Sequence, residues 1–322
     1  MSPVAVPLSL RVKSISSEAD GVLSFDLRSI DGTPLPPFTA GSHVDLHLSN
    51  GLVRSYSLLN DQDERHRYVV GVNRDPASRG GSKFLHAEVR PGEVLPVSEP
   101  RNNFELNENA SSTVLIAGGI GVTPMLSMVR RLKALERPWT LYYSARHRNN
   151  AAFLEELTQL AGDQSARLVL NFDAENGGKF LDLEAIVRKA EPGTDFYCCG
   201  PIPMLKAFEA ATSGVDPDRV HVEYFAGAEP VASGGGYQVE LAKSGLRLDV
   251  VEGKTILDTV LEAGIDVPYS CLEGVCGSCE TRVLGGEPDH RDMILSAKEK
   301  ASNKTMLICC SGSKGGTLVL DL

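Results

Sequence analysis

Residues 271–292 read CLEGVCGSCETRVLGGEPDHRD, and the reading of this stretch decides the fold of the region around it. Cys271, Cys276 and Cys279 follow the spacing C-x4-C-x2-C, and a fourth cysteine, Cys309, lies 29 intervening residues further on. That is the plant-type arrangement of four thiolates around a [2Fe–2S] cluster. Gly274, Gly277 and Ser278 let the backbone wrap closely around sulfur and aim N–H groups at it, which tunes a cluster's potential. A structural zinc loop or chance clustering is the competing reading, but zinc ligands usually come as two separate C-x2-C knuckles. If Cys309 ends its strand facing the cluster, the neighbouring Cys310 points the other way, as a small buried residue.

The rest of the composition narrows the class. The chain has 322 residues, room for two or three domains, with 42% apolar and 23% charged residues, as in ordinary globular proteins. Its seven cysteines are clustered and odd in number, and the first 197 residues hold none, so a disulfide scaffold is the weakest option. The net charge of −10 argues against nucleic acid or an anionic membrane as partner. No apolar run is long enough to span a bilayer. The opening MSPVAVPLSLRV lacks a basic region leading into an apolar one, so no signal peptide and a cytoplasmic location are expected.

Outward from the cysteine loop, three textures follow one another. YQVELAKSGLRLDVV (237–251) reads as a hairpin turning at Ser244-Gly245, TILDTVLEAG as an amphipathic helix ended by Gly264, and LVLDL as a terminal strand. The small-residue run AGAEPVASGGG (226–236) reads as a flexible linker. Before it, TVLIA, LYYSA, RLVLNF, DFYCC and RVHVEYF alternate with helix-length segments, which predicts βαβ units and a parallel sheet. From residue 8 to about 100, LSLRVKSI, VLSFDLRS, HVDLHLS, LVRSYSLL and RYVVGVNR alternate with period two, which predicts an antiparallel barrel, with one helix at 81–89.

Two further stretches carry binding chemistry. In AGGIGVTPM (117–125), Gly118, Gly119 and Gly121 permit a tight turn after a strand, Thr123 can cap the following helix and Pro124 suits its first turn. The free N–H groups there suit a pyrophosphate. The acidic ribose ligand expected at the end of the next strand is missing, and Arg146, His147 and Arg148 stand there instead, which leaves NADH against NADPH open. Cys199, before Gly200-Pro201 at the ligand-binding edge of the sheet, reads either as a nicotinamide neighbour or as a buried strand cysteine; Cys198 reads as the latter. A pyridine nucleotide delivers two electrons and a [2Fe–2S] cluster takes one at a time, so a flavin is expected between them. In VRSYSLLN (53–60), Arg54 suits a phosphate, Tyr56 on the same strand face can pack on a ring system, and Ser57 can hydrogen-bond a ring nitrogen. Arg79, Gly80, Gly81 and Ser82 offer a second anion-binding element.

At this point the chain resembles phthalate dioxygenase reductase and the reductase of vanillate O-demethylase over nearly its whole length. The resemblance rests on RSYSL (54–58), SRGGS (78–82), AGGIGVTPML (117–126), YCCGP (197–201), HVEYF (221–225), CGSC (276–279) with EPDHRD (287–292), and LVLDL (318–322). It implies a multidomain chain: an antiparallel β-barrel flavin domain at 1–108, an α/β parallel-sheet NAD-binding domain at 109–227, a linker at 228–236 and an α+β plant-type ferredoxin domain at 237–322. It also implies FMN rather than FAD, held by Arg54, Ser55 and the Arg79–Ser82 turn, with Tyr56 and Ser57 on the isoalloxazine and Phe225 covering it. NADH would be the donor, hydride transfer would involve Ser57, Cys199 and Phe225, and a monomer would reduce a Rieske non-haem iron oxygenase. A cytochrome P450 or other acceptor is the alternative partner, and a zinc-stabilised, non-redox nucleotide-binding module is the alternative of another class. Relatives commonly carry an arginine after CCS, where this chain has Gly312, so an altered surface near the cluster is expected there. The segment EPDHRD is expected to be a surface loop.

Overall fold

The computed structural model describes residues 7–227 and 229–322. The Met1–Val6 stretch, part of the segment read for leader character, and Ala228 in the small-residue run lie outside the described residues. The chain forms two compact units, Met1–Phe225 and Ala226–Leu322.

The first unit opens with strands β1 (Leu8–Ala19), β2 (Val22–Ser29), β3 (His43–His47), β4 (Val53–Ser57) and β5 (Tyr68–Asn73), helix α1 (Gly81–Ala87) and β6 (Val94–Val97). They form one antiparallel sheet in the order β4-β3-β6-β1-β2-β5. A bridge between Leu58 and Val70, with Leu59 N–H on Val69 O at 3.0 Å, joins the two ends and closes the barrel. Alternation places Val12, Phe25, Leu27, Val44, Leu46, Val70 and Val97 inside it, each fully buried. Burying a side chain of this size is worth about 1.5–3 kcal/mol before entropy is counted.

The parallel sheet follows: β7 (Ser112–Gly118), α2 (Val122–Ala134), β8 (Trp139–Ala145), α3 (Leu154–Ala161), β9 (Leu168–Phe172), α4 (Leu183–Lys189), β10 (Thr194–Cys199), α5 (Ile202–Ala211) and β11 (Val220–Glu223). Its order is β11-β10-β7-β8-β9, with every pairing parallel. Both faces are covered, which is why these strands read as continuous apolar runs. Leu115, Ala117 and Cys199 pack with α2, while Val114, Ile116 and Cys198 pack with α4 and α5. The order reverses between β7 and β10, and ligands bind at such a crevice outside the strand ends.

The second unit contains β12 (Tyr237–Leu241), β13 (Leu246–Val250), α6 (Ile256–Glu262), β14 (Glu280–Gly285), β15 (Pro288–Asp289), α7 (Ala297–Ser302), β16 (Thr305–Leu307), β17 (Gly312–Ser313) and β18 (Thr317–Leu320). Five strands form a mixed sheet, β13-β12-β18-β14-β16, and β15 pairs with β17. Capping boxes, Thr255 with Asp258 and Ser296 with Glu299, start α6 and α7. The run read as a flexible linker is held to this unit over part of its length. Val231 packs on the core, Ala232 N–H bonds Cys310 O at 2.8 Å, and Gly253 N–H bonds Ser233 O at 2.8 Å.

Candidate functional site

The cysteine loop occupies the irregular stretch between α6 and β14. Gly274 and Gly277 take positive φ of 73° and 77°, the left-handed region that favours glycine, and turn the chain around the sulfurs. N–H groups then point at sulfur: Glu273 N and Val275 N lie 3.4 Å from Cys271 Sγ, and Cys271 N lies 3.5 Å from Cys276 Sγ. Ser278 Oγ is 3.3 Å from Cys276 Sγ. Cys271, Cys276, Cys279 and Cys309 are all buried. Interaction with Cys309, together with burial, pushes the Cys279 thiol far up, and interaction with Cys271 does the same to Cys276. Four sulfurs so crowded ionise together only around positive charge. Among the described residues no group of three His, Cys, Asp or Glu side chains is placed to hold a single metal ion. Cys271 interacts with both Cys276 and Cys309, and Cys279 with Cys309, so the four sulfurs form one connected group. Four buried thiols in one group, with backbone N–H groups aimed at sulfur, fit a [2Fe–2S] cluster.

Cys310 turns away. Its Sγ lies 3.6 Å from Leu307 O, and it sits so close under the loop that a Cβ on Gly274 would stand 2.5 Å from it. Two expectations for this unit are corrected. Gly312 is buried, paired with Asp289, and a Cβ there would meet Ala232 at 2.9 Å and Tyr237 Oη at 3.3 Å, so an arginine has no room and the position is no surface feature. EPDHRD is a surface loop only in part: Glu287 is exposed, but Pro288 and Asp292 are buried, and Met293 N–H bonds Gly274 O at 2.9 Å.

In the first unit, two glycine turns meet at the β7/β10 crevice. A Cβ on Gly121 would collide with the Cys199 carbonyl, and one on Gly118 would lie 2.6 Å from Pro201 Cδ and 2.9 Å from Met204 Sδ. Gly200 is hemmed in likewise, by Met204 Sδ at 2.9 Å and the Gly118 backbone at 3.1 Å. Gly119, with φ 54°, makes the turn itself. Thr123 departs from the expectation. It does not cap α2, whose N-cap is Gly121, but donates from Oγ1 back to Ile120 O at 3.0 Å, with Pro124 next to it in the first turn. Its methyl would stand 2.7 Å from a Cβ on Gly71 of β5, so the barrel glycine admits the helix start.

Beyond β8, the Arg148 guanidinium lies 4.5 Å from the Phe172 ring centroid, and the Arg148 backbone N–H donates to Glu175 Oε1 at 3.1 Å. An acidic group does stand here, supplied by the next strand rather than by β8. Asp173, just past β9, accepts from Ser144 Oγ at 3.0 Å and Asn171 Nδ2 at 2.7 Å. Sequence reasoning missed it by searching only the end of the second strand.

On the barrel, β4 carries Arg54, Ser55, Tyr56 and Ser57. Arg54 Nη2 reaches Arg79 O at 3.5 Å, and a Cβ on Gly81 would lie 2.6 Å from Arg54 Cγ. A bare Gly81 thus seats Arg54 against the Arg79–Ser82 turn, with Gly80 in the left-handed region at φ 105°. Ser55 Oγ donates to Asp45 Oδ1 at 2.6 Å, and burial pushes the Tyr56 hydroxyl far up. A cradle built on a cation, a left-handed glycine and a glycine that a side chain would fill fits a flavin phosphate.

Ser57, Cys199 and Glu223 bring barrel and sheet together. The Glu223 carboxyl interacts with both side chains; its Oε2 is sealed from solvent with no hydrogen-bond partner, although the residue as a whole keeps intermediate exposure. Burial raises this carboxyl from 4.5 to about 8, partly offset by Cys199 and Ser57. Cys199 is fully buried and its thiol is pushed well up, by burial first and then by Glu223. Glu223 was not singled out from sequence, although it lies within HVEYF; an acid on a strand of the parallel sheet was the available signal. Phe225, two residues later, is 41% exposed.

Comparison with known proteins agrees with this arrangement. Residues 115–210 match the oxidoreductase NAD-binding domain, and residues 239–314 match the 2Fe-2S iron-sulfur cluster binding domain. The chain is 56% identical over 316 residues to the phenoxybenzoate dioxygenase subunit beta of Ectopseudomonas oleovorans, covering 98% of each chain. It superimposes on the structure of phthalate dioxygenase reductase, described as a modular structure for electron transfer from pyridine nucleotides to [2Fe–2S], with a TM-score of 0.74, 38% identity and 98% of each chain covered. It also matches an intact type IV self-sufficient cytochrome P450 monooxygenase, with a TM-score of 0.87 and 38% identity, spanning 98% of this chain but only 41% of that one. Among the described residues no helix is long and apolar enough to cross a membrane. Taken with the four grouped cysteine sulfurs and the glycine crevice, these likenesses show that the chain belongs to the phthalate dioxygenase reductase and vanillate O-demethylase reductase family and is an NADH-dependent flavin iron–sulfur oxidoreductase.

Proposed function

We propose that this chain reduces a Rieske-type oxygenase or demethylase, with FMN as its flavin, and that residues 1–108, 109–227 and 237–322 divide the work among flavin, nucleotide and cluster. The observation that carries the reading is the meeting of Ser57 from the barrel with Cys199 and Glu223 from the parallel sheet. Family likeness supports FMN over FAD and a Rieske partner.

When bound, the flavin would supply a two-electron hydride acceptor able to release electrons singly, and the cluster would supply a one-electron acceptor. The chain's own residues bind and position. Gly118, Gly119, Gly121 and Gly200 keep the crevice clear of side chains, so that backbone N–H groups at the start of α2 can meet the pyrophosphate of NADH. Thr123 and Pro124 set the start of that helix, and Asp173 with Ser144 offers a polar partner for the ribose. Arg54 and the Arg79–Ser82 turn hold the flavin phosphate, while Ser55 is fixed on Asp45 and keeps β4 in place. Tyr56 and Phe225 pack on the ring system. Ser57 and Cys199 line the side where hydride passes, and Glu223 holds a proton near neutral pH within reach of Ser57. Cys271, Cys276, Cys279 and Cys309 hold the cluster.

The structural likeness to part of a self-sufficient P450 favours a second reading, in which the acceptor is a haem protein. One experiment separates them. The NADH-reduced holoprotein is mixed anaerobically with a purified Rieske oxygenase or with a P450, and acceptor reduction is followed in a stopped-flow spectrometer. Fast reduction of the Rieske centre with slow haem reduction supports the proposal, and the reverse rejects it. Acid release of the flavin, with FAD recovered instead of FMN, would reject the flavin assignment.

A further inference from the structure

Between the third and fourth ligand cysteines lies the segment Pro288–Asp292, which the electron-transfer reading leaves without a role. The structure ties it to both ligand-bearing loops. On one side, Met293 N–H bonds Gly274 O at 2.9 Å, and Asp292 packs so tightly on that turn that a Cβ on Gly274 would lie 2.9 Å from Asp292 Cα. Gly274 sits midway between Cys271 and Cys276. On the other side, Arg291 N–H bonds Ser311 Oγ at 3.1 Å, and β15 pairs with β17 through Pro288–Ser313 and Asp289–Gly312. Ser311 is fully buried, two residues after Cys309.

A buried acidic side chain lies at the centre of this clasp. Asp292 has no exposure, and its Oδ2 accepts N–H bonds from Ile294 at 3.2 Å and Leu295 at 2.8 Å. Lys300 of α7 lies 3.8 Å from the same oxygen and donates to the Asp292 carbonyl at 2.5 Å. Asp292 Oδ1 has no hydrogen-bond partner among the described residues, and the nearest base is His290 Nδ1 at 3.7 Å. Both ring nitrogens of His290 are likewise buried without a hydrogen-bond partner among the described residues. Arg291, by contrast, is answered by Asp289 within the clasp at 2.8 Å and by Glu229 outside it at 3.5 Å, and makes no ion pair with Asp292.

We propose that Pro288–Asp292 is a clasp that holds the Cys271–Cys276 loop in register with the Cys309 turn, and that the buried Asp292 carboxylate is a positioning residue whose charge lowers the reduction potential of the cluster. The inference rests on the four-cysteine [2Fe–2S] reading. Adding an electron beside a negative charge in a poorly screened interior is disfavoured, and removing that charge makes reduction easier. A unit charge roughly 10 Å away, at an effective dielectric near 20, changes a one-electron equilibrium by about tenfold or somewhat more.

The test is an EPR-monitored redox titration of the holoprotein, with iron and sulfide assayed in every sample. Asp292→Asn keeps the shape and removes the charge; the expected result is a positive shift of about tenfold in the one-electron reduction equilibrium, about 59 mV for a one-electron couple. Lys300→Met removes the partly exposed positive charge and should shift the potential the opposite way, and it remains informative if Asp292→Asn assembles no cluster. Opposite shifts with full iron content support the proposal, since a purely structural role does not reverse sign with charge. Unchanged potentials, or shifts of the same sign in both variants, overturn it. A wild-type protein without two irons and two sulfides would overturn the four-cysteine reading itself, an outcome distinct from failure of the clasp.

Discussion

Glu223→Gln tests the meeting point of barrel and sheet through its protons. Withdrawal from water holds a proton on the Glu223 carboxyl up to about pH 8, whereas the same group in the unfolded chain loses it near 4.5. Between those values the unfolded state binds fewer protons than the native state, so stability falls as pH rises. The loss begins as pH passes 4.5 and is complete once it passes 8; at 1.36 kcal/mol per unit over about 3.5 units it amounts to at most about 5 kcal/mol. The residue is not wholly enclosed, so the true figure lies below that ceiling. Glutamine keeps the shape and cannot ionise, so the variant lacks this slope. The assay is thermal unfolding of the holoprotein from pH 5 to pH 9, followed by flavin fluorescence. The two melting curves should nearly coincide at pH 5. By pH 9 the variant should melt higher, by up to about 10–20 °C at 2–4 °C per kcal/mol for a unit of this size. Wild type and variant losing stability in parallel across the range would refute the buried, protonated carboxyl.

Three other perturbations probe separate parts of the chain. Gly121→Ala drives a methyl into the Cys199 carbonyl and should raise the KM for NADH at least about tenfold, with the cluster spectrum unchanged; steady-state kinetics checks it. Gly274→Ala places a methyl at φ 73° against Cys310 Sγ and Asp292, and should cost most of the iron content while NADH still bleaches the flavin. Cys309→Ser should lose the cluster and Cys310→Ser should keep it, since Cys310 turns toward Leu307 O; iron analysis and EPR of the two variants decide between the neighbours.

Much of the fold was legible because its signals are local. Period-two alternation marked β2 as Val22–Ser29, and strands alternating with helix-length segments marked the five-stranded parallel sheet. β6 escaped because Pro96 interrupts VLPV, yet its pairing with β1 and β3 tolerates that proline. The four cysteines and the glycine turns were readable from spacing. Other features depend on what distant segments bring. Asp292 looks like one charge in a polar run, and only the fold buries it under Gly274. Gly312 reads as a surface change until Ala232 and Tyr237 close over it. Thr123 has the sequence of a cap, but the extra turn at Gly119–Gly121 moves the cap back to Gly121 and leaves its hydroxyl on Ile120. Glu223 gains its raised proton affinity only where barrel and sheet meet.

The most direct measurement of the central claim is an anaerobic titration of the purified holoprotein with NADH, followed by visible absorption and EPR. A flavin that takes two electrons and a cluster that takes one give an endpoint of about 1.5 NADH per chain, with both chromophores bleached and a reduced-cluster signal present. An endpoint near 1.0 with the flavin bleached and no cluster signal, or a protein carrying zinc in place of iron, would contradict the account.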